Sequence, residues 1–72
     1  MRKTLRTARQ KAGYSQARLA TKIGITQQAL SKHELSLTAP GHFTLIRMYE
    51  NLLGVPAEDL FPDIFKPRKS VT

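Results

Sequence analysis

The chain has 72 residues, no cysteine, and a formal net charge of +7 from twelve Lys and Arg against five Asp and Glu. That length supports one small domain burying roughly 60% of its unfolded surface, and the lack of cysteine excludes disulfides and thiolate zinc sites and fits a reducing cytoplasm. No apolar run approaches the ~18 residues of a membrane span, and no apolar stretch follows the basic N-terminus MRKTLRTARQK as a signal peptide requires, so a cytoplasmic protein with no membrane partner is expected. A sequence pI near 10.4 points to a nucleic-acid partner, with an acidic protein or an acidic membrane surface as the alternatives.

The first predicted helix covers residues 3–12, a mixture of Arg, Lys, Gln, Ala and Leu. Leu5, Ala8 and Ala12 share one stripe of it; Arg2, Arg6 and Arg9 share another. Gly13 is placed to stop it. Ser15 is the predicted N-cap of a second helix that starts at Gln16 and presents Ala17, Leu19, Ala20 and Ile23 as apolar positions. Gly24 ends that helix after about two turns. Thr26 caps a third helix over residues 27–34.

Residues 35–41 (LSLTAPG) hold no period, and Pro40-Gly41 marks a turn or loop. Residues 42–53 read as a fourth helix with Phe43, Ile46, Tyr49 and Leu53 on one face. Gly54 ends it, Pro56 opens a short fifth helix with Glu58 and Asp59 in its first turn, and Leu60 and Phe61 dock back on the core. The predicted domain covers residues 1–65, followed by a polar tail over residues 66–72. No strand alternation or internal repeat interrupts this all-α pattern.

The second and third helices are both short, and a few residues containing Gly24 join them. That is the layout of a helix-turn-helix, in which the second of the two helices enters the DNA major groove. Ala20 is small where the helices must cross closely, and Gly24 can take the positive φ of a sharp turn. At about 100° per residue, Gln27, Gln28, Ser31 and Lys32 fall within roughly 140° of arc on the third helix. Ala29, Leu30 and His33 face the other way. The outer face is rich in donors and acceptors and free of acids.

The ordered set Arg9, Ser15-Gln16, Leu19-Ala20, Gly24-Ile25-Thr26, Gln27-Gln28, Leu30-Ser31, Glu34, Pro40 and Leu53-Gly54-Val55 resembles the Cro/CI-type (XRE) helix-turn-helix regulators. The resemblance covers about residues 4–61. The TQQ at the start of the third helix is similar to that of 434-type phage repressors. The resemblance implies a compact five-helix, lambda-repressor-like DNA-binding domain. It implies that Gln16 holds a backbone phosphate, that Gln27 and Gln28 read bases, and that Arg9 and Glu34 form a partly buried ion pair. The chain departs from the family where Ser36, Leu37 and Thr38 replace the usual glycine and basic residues after Glu34, and the loop is about one residue longer. His33 stands where a larger apolar residue is common.

The chemistry suits these roles. A glutamine amide offers one acceptor and a donor pair that match adenine N7 and N6, which favours Gln27, with Gln28 on a flanking base or phosphate. Ser31 fits either a base contact or plain solvent exposure. Lys32 fits a phosphate contact or a solvated charge. The helix N-terminus adds to Gln16 as an anion site. The Thr26 hydroxyl, Arg6 and Arg18 are further phosphate candidates, each weighed against a solvated surface.

His33 and His42, without a cysteine or an acid cluster, make no metal site, and no cofactor is implied. No acid pair, phosphate loop or nucleophile–base set indicates an enzyme. The expected function is sequence-specific double-stranded DNA binding by a small regulator, a repressor that binds a pseudo-palindromic operator as a homodimer. A chain this short leaves no room for a separate dimerisation domain, so the candidate self-association surface is Leu52, Val55, Phe61, Ile64 and Phe65. An antitoxin that binds a toxin protein through the same C-terminal segment is the alternative.

Overall fold

Three of the first four helices are terminated by the same local device, and that device sets the spacing of the fold. A computed structural model describes residues 1–65; the predicted polar tail at 66–72 lies outside the described residues. The helices are α1 (Lys3–Lys11), α2 (Gln16–Ile23), α3 (Gln27–Glu34), α4 (Phe43–Leu53) and α5 (Ala57–Leu60). At the end of α2, Ile25 N–H bonds back to Ala20 O (3.0 Å) and Gly24 N–H to Thr21 O (3.3 Å). This pair of bonds is a Schellman motif, and it needs a left-handed residue, which Gly24 supplies at φ +79. Tyr14 and Gly13 close α1 in the same way, on Arg9 and Gln10.

The end of α3 repeats the motif without a glycine. Leu37 N–H bonds to Lys32 O (2.9 Å) and Ser36 N–H to His33 O (3.3 Å), and Ser36 takes the left-handed position at φ 64. The absence of glycine after Glu34 therefore leaves the geometry of the turn in place and puts it on a side chain that resists it.

Side-chain caps start the two central helices. Ser15 Oγ accepts from Arg18 N–H (3.1 Å) and Thr26 Oγ1 from Ala29 N–H (3.0 Å). In α5, Pro56 occupies the N-cap and the helix begins at Ala57, one residue later than expected. Glu50 Oε2 reaches from α4 to accept from Ala57 N–H (2.6 Å).

Every helix contributes to one core. Leu5, Leu19, Leu30, Tyr49, Leu60 and Phe61 are fully buried, with Ala8, Ala20, Ile23, Ile46, Leu53 and Ala57 around them. The Tyr49 ring meets Phe61 edge-on at 5.3 Å between centroids, an arrangement aromatic pairs favour. Three expectations fail. Ala12 lies just past the end of α1 and is exposed, and Ala17 is exposed on α2. Phe43 has the period of the core face but stands in the first turn of α4, where it is 64% exposed beside the Arg47 guanidinium.

Phe61 docks on the core as expected, and its second expected role is the one to correct. The sequence reading puts it on a self-association surface, yet its ring is fully buried against Tyr49 and under the Arg2 guanidinium. An aromatic ring removed from water by its own domain has no face left for a partner.

Candidate nucleic-acid interface

Glu34, at the last turn of α3, is 2% exposed and collects three donors. Arg9 of α1 donates from Nε to Oε2 (2.5 Å) and from Nη2 to Oε1 (3.4 Å), and Gln16 of α2 donates from Nε2 to Oε1 (3.0 Å). Arg9 Nη1 also donates to Tyr14 O (2.8 Å) in the α1–α2 connection. One carboxylate thus fixes the relative positions of three helices. A buried charge without such partners would be strongly unfavourable, so the arrangement holds α3 in one orientation.

That orientation leaves the outer face of α3 in solvent. Gln27, Gln28 and Lys32 are exposed and Ser31 is half-buried, while Leu30, His33 and Glu34 are buried behind them. Gln27 and Gln28 occupy the first turn, directly after the Thr26 cap. The Thr26 hydroxyl accepts from the helix and keeps its own proton available for donation. Gln16 is half-buried; with one Nε2 hydrogen committed to Glu34, the second remains for an outside acceptor. Arg6 and Arg18 are exposed.

The surrounding charge is one-sided. Residues 1–33 hold eight Lys and Arg and no Asp or Glu. Glu34 is the first acid in the chain, and Arg9 neutralises it internally. Four of the five acids fall between Glu50 and Asp63, on α4, α5 and the turn after them. The α1–α3 surface can therefore attract a polyanion without an opposing carboxylate.

Two buried polar groups carry no sequence signal of their role. Arg2, which the helical period places on a basic stripe with Arg6, is 5% exposed. It donates to both Asp63 oxygens (Nε 2.9 Å, Nη2 2.7 Å) and, from Nη1, to His33 O (2.6 Å) and Thr38 O (2.8 Å). It lies 5.1 Å over the Phe61 ring. Its acid partner is 61 residues away, so no local pattern could reveal the pair. His33 Nδ1 shares a 2.8 Å hydrogen bond with the Tyr49 hydroxyl. Burial, and then the positive charge of Arg2, hold the His33 imidazole below its ordinary pKa. Burial also pushes the Tyr49 hydroxyl up, so it stays protonated.

Residues 5–60 match the family described as Helix-turn-helix. The chain belongs to the Cro/CI-type (XRE) helix-turn-helix family of transcriptional regulators. It is 39% identical over 56 residues to the SPbeta prophage-derived uncharacterized HTH-type transcriptional regulator YonR of Bacillus subtilis (strain 168). The match covers 78% of this chain and 51% of that protein, so the chain spans about half the length of the curated relative it matches. No solved structure matches the chain. Among the described residues the chain has the all-helical five-element architecture expected of the family. None of its described helices is long and apolar enough to cross a membrane.

The candidate self-association residues divide between different surroundings. Val55 lines a groove with Lys3, Thr7 and Lys11 of α1. Phe65 lines a separate groove between α4 and α5. Leu52 is half-buried against the core and Ile64 is 39% exposed.

Proposed function

We propose that the chain binds a specific double-stranded DNA site as a small repressor, with the first turn of α3 in the major groove and two copies on a pseudo-palindromic operator. The observation that carries this reading is the pair Gln27 and Gln28. Both are exposed at the first turn of a helix whose rear is fixed by Leu30 and the Glu34 cluster. Gln27 has the geometry to bond adenine N7 and N6 together, and Gln28 to reach a flanking base or phosphate. Gln16, Thr26, Lys32, Arg6 and Arg18 supply phosphate contacts around them. A single recognition helix reads few base pairs, which favours two copies on half-sites about 34 Å apart.

The repressor reading is preferred to the antitoxin reading. The apolar C-terminal segment on which a toxin would dock is largely taken up by the chain's own core: Phe61 is fully buried and Leu52 and Val55 are half-buried. The similarity to a prophage-derived transcriptional regulator also favours regulation of a mobile element.

Selection of bound sequences from a random DNA pool tests the reading. Gln27→Ala should cost about 1–3 kcal/mol at the selected site and relax the preference at one base pair. Gln16→Ala should weaken selected and unrelated DNA alike. An unchanged base preference after Gln27→Ala would sink the assignment of α3 as the reading helix.

A further inference from the structure

The groove between α1 and the turn after α4 joins an apolar floor to a basic rim. Buried Ala8 and half-buried Val55 give the floor. The exposed Lys3, Thr4, Thr7 and Lys11 form the rim, and no acid lines the groove. Lys3, Thr7 and Lys11 stand four residues apart and so share one line along α1, with the two lysines about 12 Å apart along the axis. Among the described residues, the ion pairs are Arg2 with Asp63 and Arg9 with Glu34, so neither lysine has a carboxylate of its own. The backbone leaves a further donor here. At the ends of α1 and α2, the N–H of Tyr14 and of Ile25 each bond back to a helix carbonyl. At the end of α4, Gly54 N–H bonds to Glu50 O (2.8 Å), and Val55 N–H makes no backbone bond among the described residues.

We infer that this groove binds an acidic segment of a partner protein. An apolar side chain of that segment enters over Ala8 and Val55, and carboxylates on either side of it meet Lys3 and Lys11. Two unpaired cations with no opposing acid select an acidic occupant. The groove holds about 260 Å³, below the roughly 300–1,000 Å³ of small-molecule sites, which suits one anchoring side chain better than a whole ligand. An extended segment at about 3.3 Å per residue covers the distance between the lysines in about four residues, which sets the spacing of the two acids. A nucleic-acid phosphate backbone supplies the charge without the apolar anchor. Thr7 also lies roughly 160° around α1 from Arg9, the residue that points to Glu34 at the end of α3. The groove shares no residue with the exposed face of α3, so a partner and DNA can be held together.

The test is selection of short random peptides on the full chain, followed by solution affinities of the enriched peptides. The enriched peptides should carry an apolar residue flanked by acids. Lys3→Glu and Lys11→Glu, both at exposed positions, should melt near wild type and each weaken peptide binding about tenfold. Selection repeated on Lys11→Glu should return a basic residue in place of one acid. Val55→Ala should weaken the same peptides below its melting temperature, while Arg18→Ala, on α2, should leave them bound as in wild type. Failure to enrich any peptide overturns the inference, as do enriched peptides without acids, unchanged affinity for Lys11→Glu, or a repeated selection with no change of charge. So does a DNA result: if Lys11→Ala reduces the slope of log DNA affinity against log salt by about one, phosphate occupies the groove. That outcome would leave the DNA reading standing, and peptide binding by a chain that selects no DNA sequence would leave the groove standing.

Discussion

Residues 1–33 carry eight Lys and Arg and no acid, whereas four of the five acids sit between Glu50 and Asp63. In α1–α3 the one carboxylate that the segment itself carries, Glu34, is buried and paired with Arg9. In α4–α5 the acids serve local structure or stand free: Glu50 caps α5, Asp63 holds Arg2, and Glu58 and Asp59 are exposed in a helix first turn. The two halves share one hydrophobic core, yet they offer opposite surfaces. One half is built to meet a polyanion, and the other keeps both signs of charge on a surface that a polyanion would avoid.

The largest test of this contrast lies at the point where it would fail. Glu34→Ala removes the single acid of the basic half and leaves the buried Arg9 charge without its carboxylate, with the Tyr14 carbonyl still accepting from it. We expect a loss of about 3–5 kcal/mol in stability, read by denaturant unfolding. A loss within experimental error would show that the buried ion pair does not hold α3 in place. A smaller effect separates the two surfaces directly. Arg18→Ala should weaken binding across DNA sequences and reduce the slope of log affinity against log salt by about one. Asp59→Ala, on the other half, should leave that slope unchanged; equal slopes for both variants would erase the distinction between the halves.

The pH dependence probes the seam between the halves, where His33 of α3 meets Tyr49 of α4. Burial and Arg2 place the folded-state pKa of His33 below the unfolded value of 6.5. The unfolded chain therefore takes up this proton first on acidification. The associated stability is complete above pH 6.5 and declines as pH falls below it. Thermal melts from pH 7.5 to 5 should show this decline, and His33→Gln should flatten it. Arg2 holds Asp63 below its ordinary value, so that contribution persists until pH falls below about 3.8.

The smallest effect concerns the turn after α3. Ser36 occupies a left-handed position at φ 64 where glycine pays no steric penalty. Ser36→Gly should raise stability by about 0.5–1 kcal/mol and leave base preference unchanged. A decrease would mean that the serine side chain holds the turn in a way its backbone does not require.

Much of the recognition unit was legible because its signals are local. Ser15 and Thr26 cap the helices that follow them, Gly24 bends the chain between, and the period of α3 separates Gln27 and Gln28 from Leu30. Phe43 as a core residue and Phe61 as a self-association residue fail for a common reason. Period assigns a residue to a face, but whether that face is covered depends on what lies across from it. Phe43 projects at the end of α4, while Phe61 is covered by Tyr49 and Arg2.

The sequence by itself determined the helices, their caps and the polar face of α3, because these depend on residues within a turn or two of each other. It also determined the one-sided charge, which is a matter of order along the chain. Only the tertiary structure decided which arginines face solvent. Arg6 remains outside, while Arg2 turns inward to a carboxylate 61 residues away. A charged side chain is buried only where a distant partner compensates its lost hydration, and that partner is brought close by the packing of the whole core.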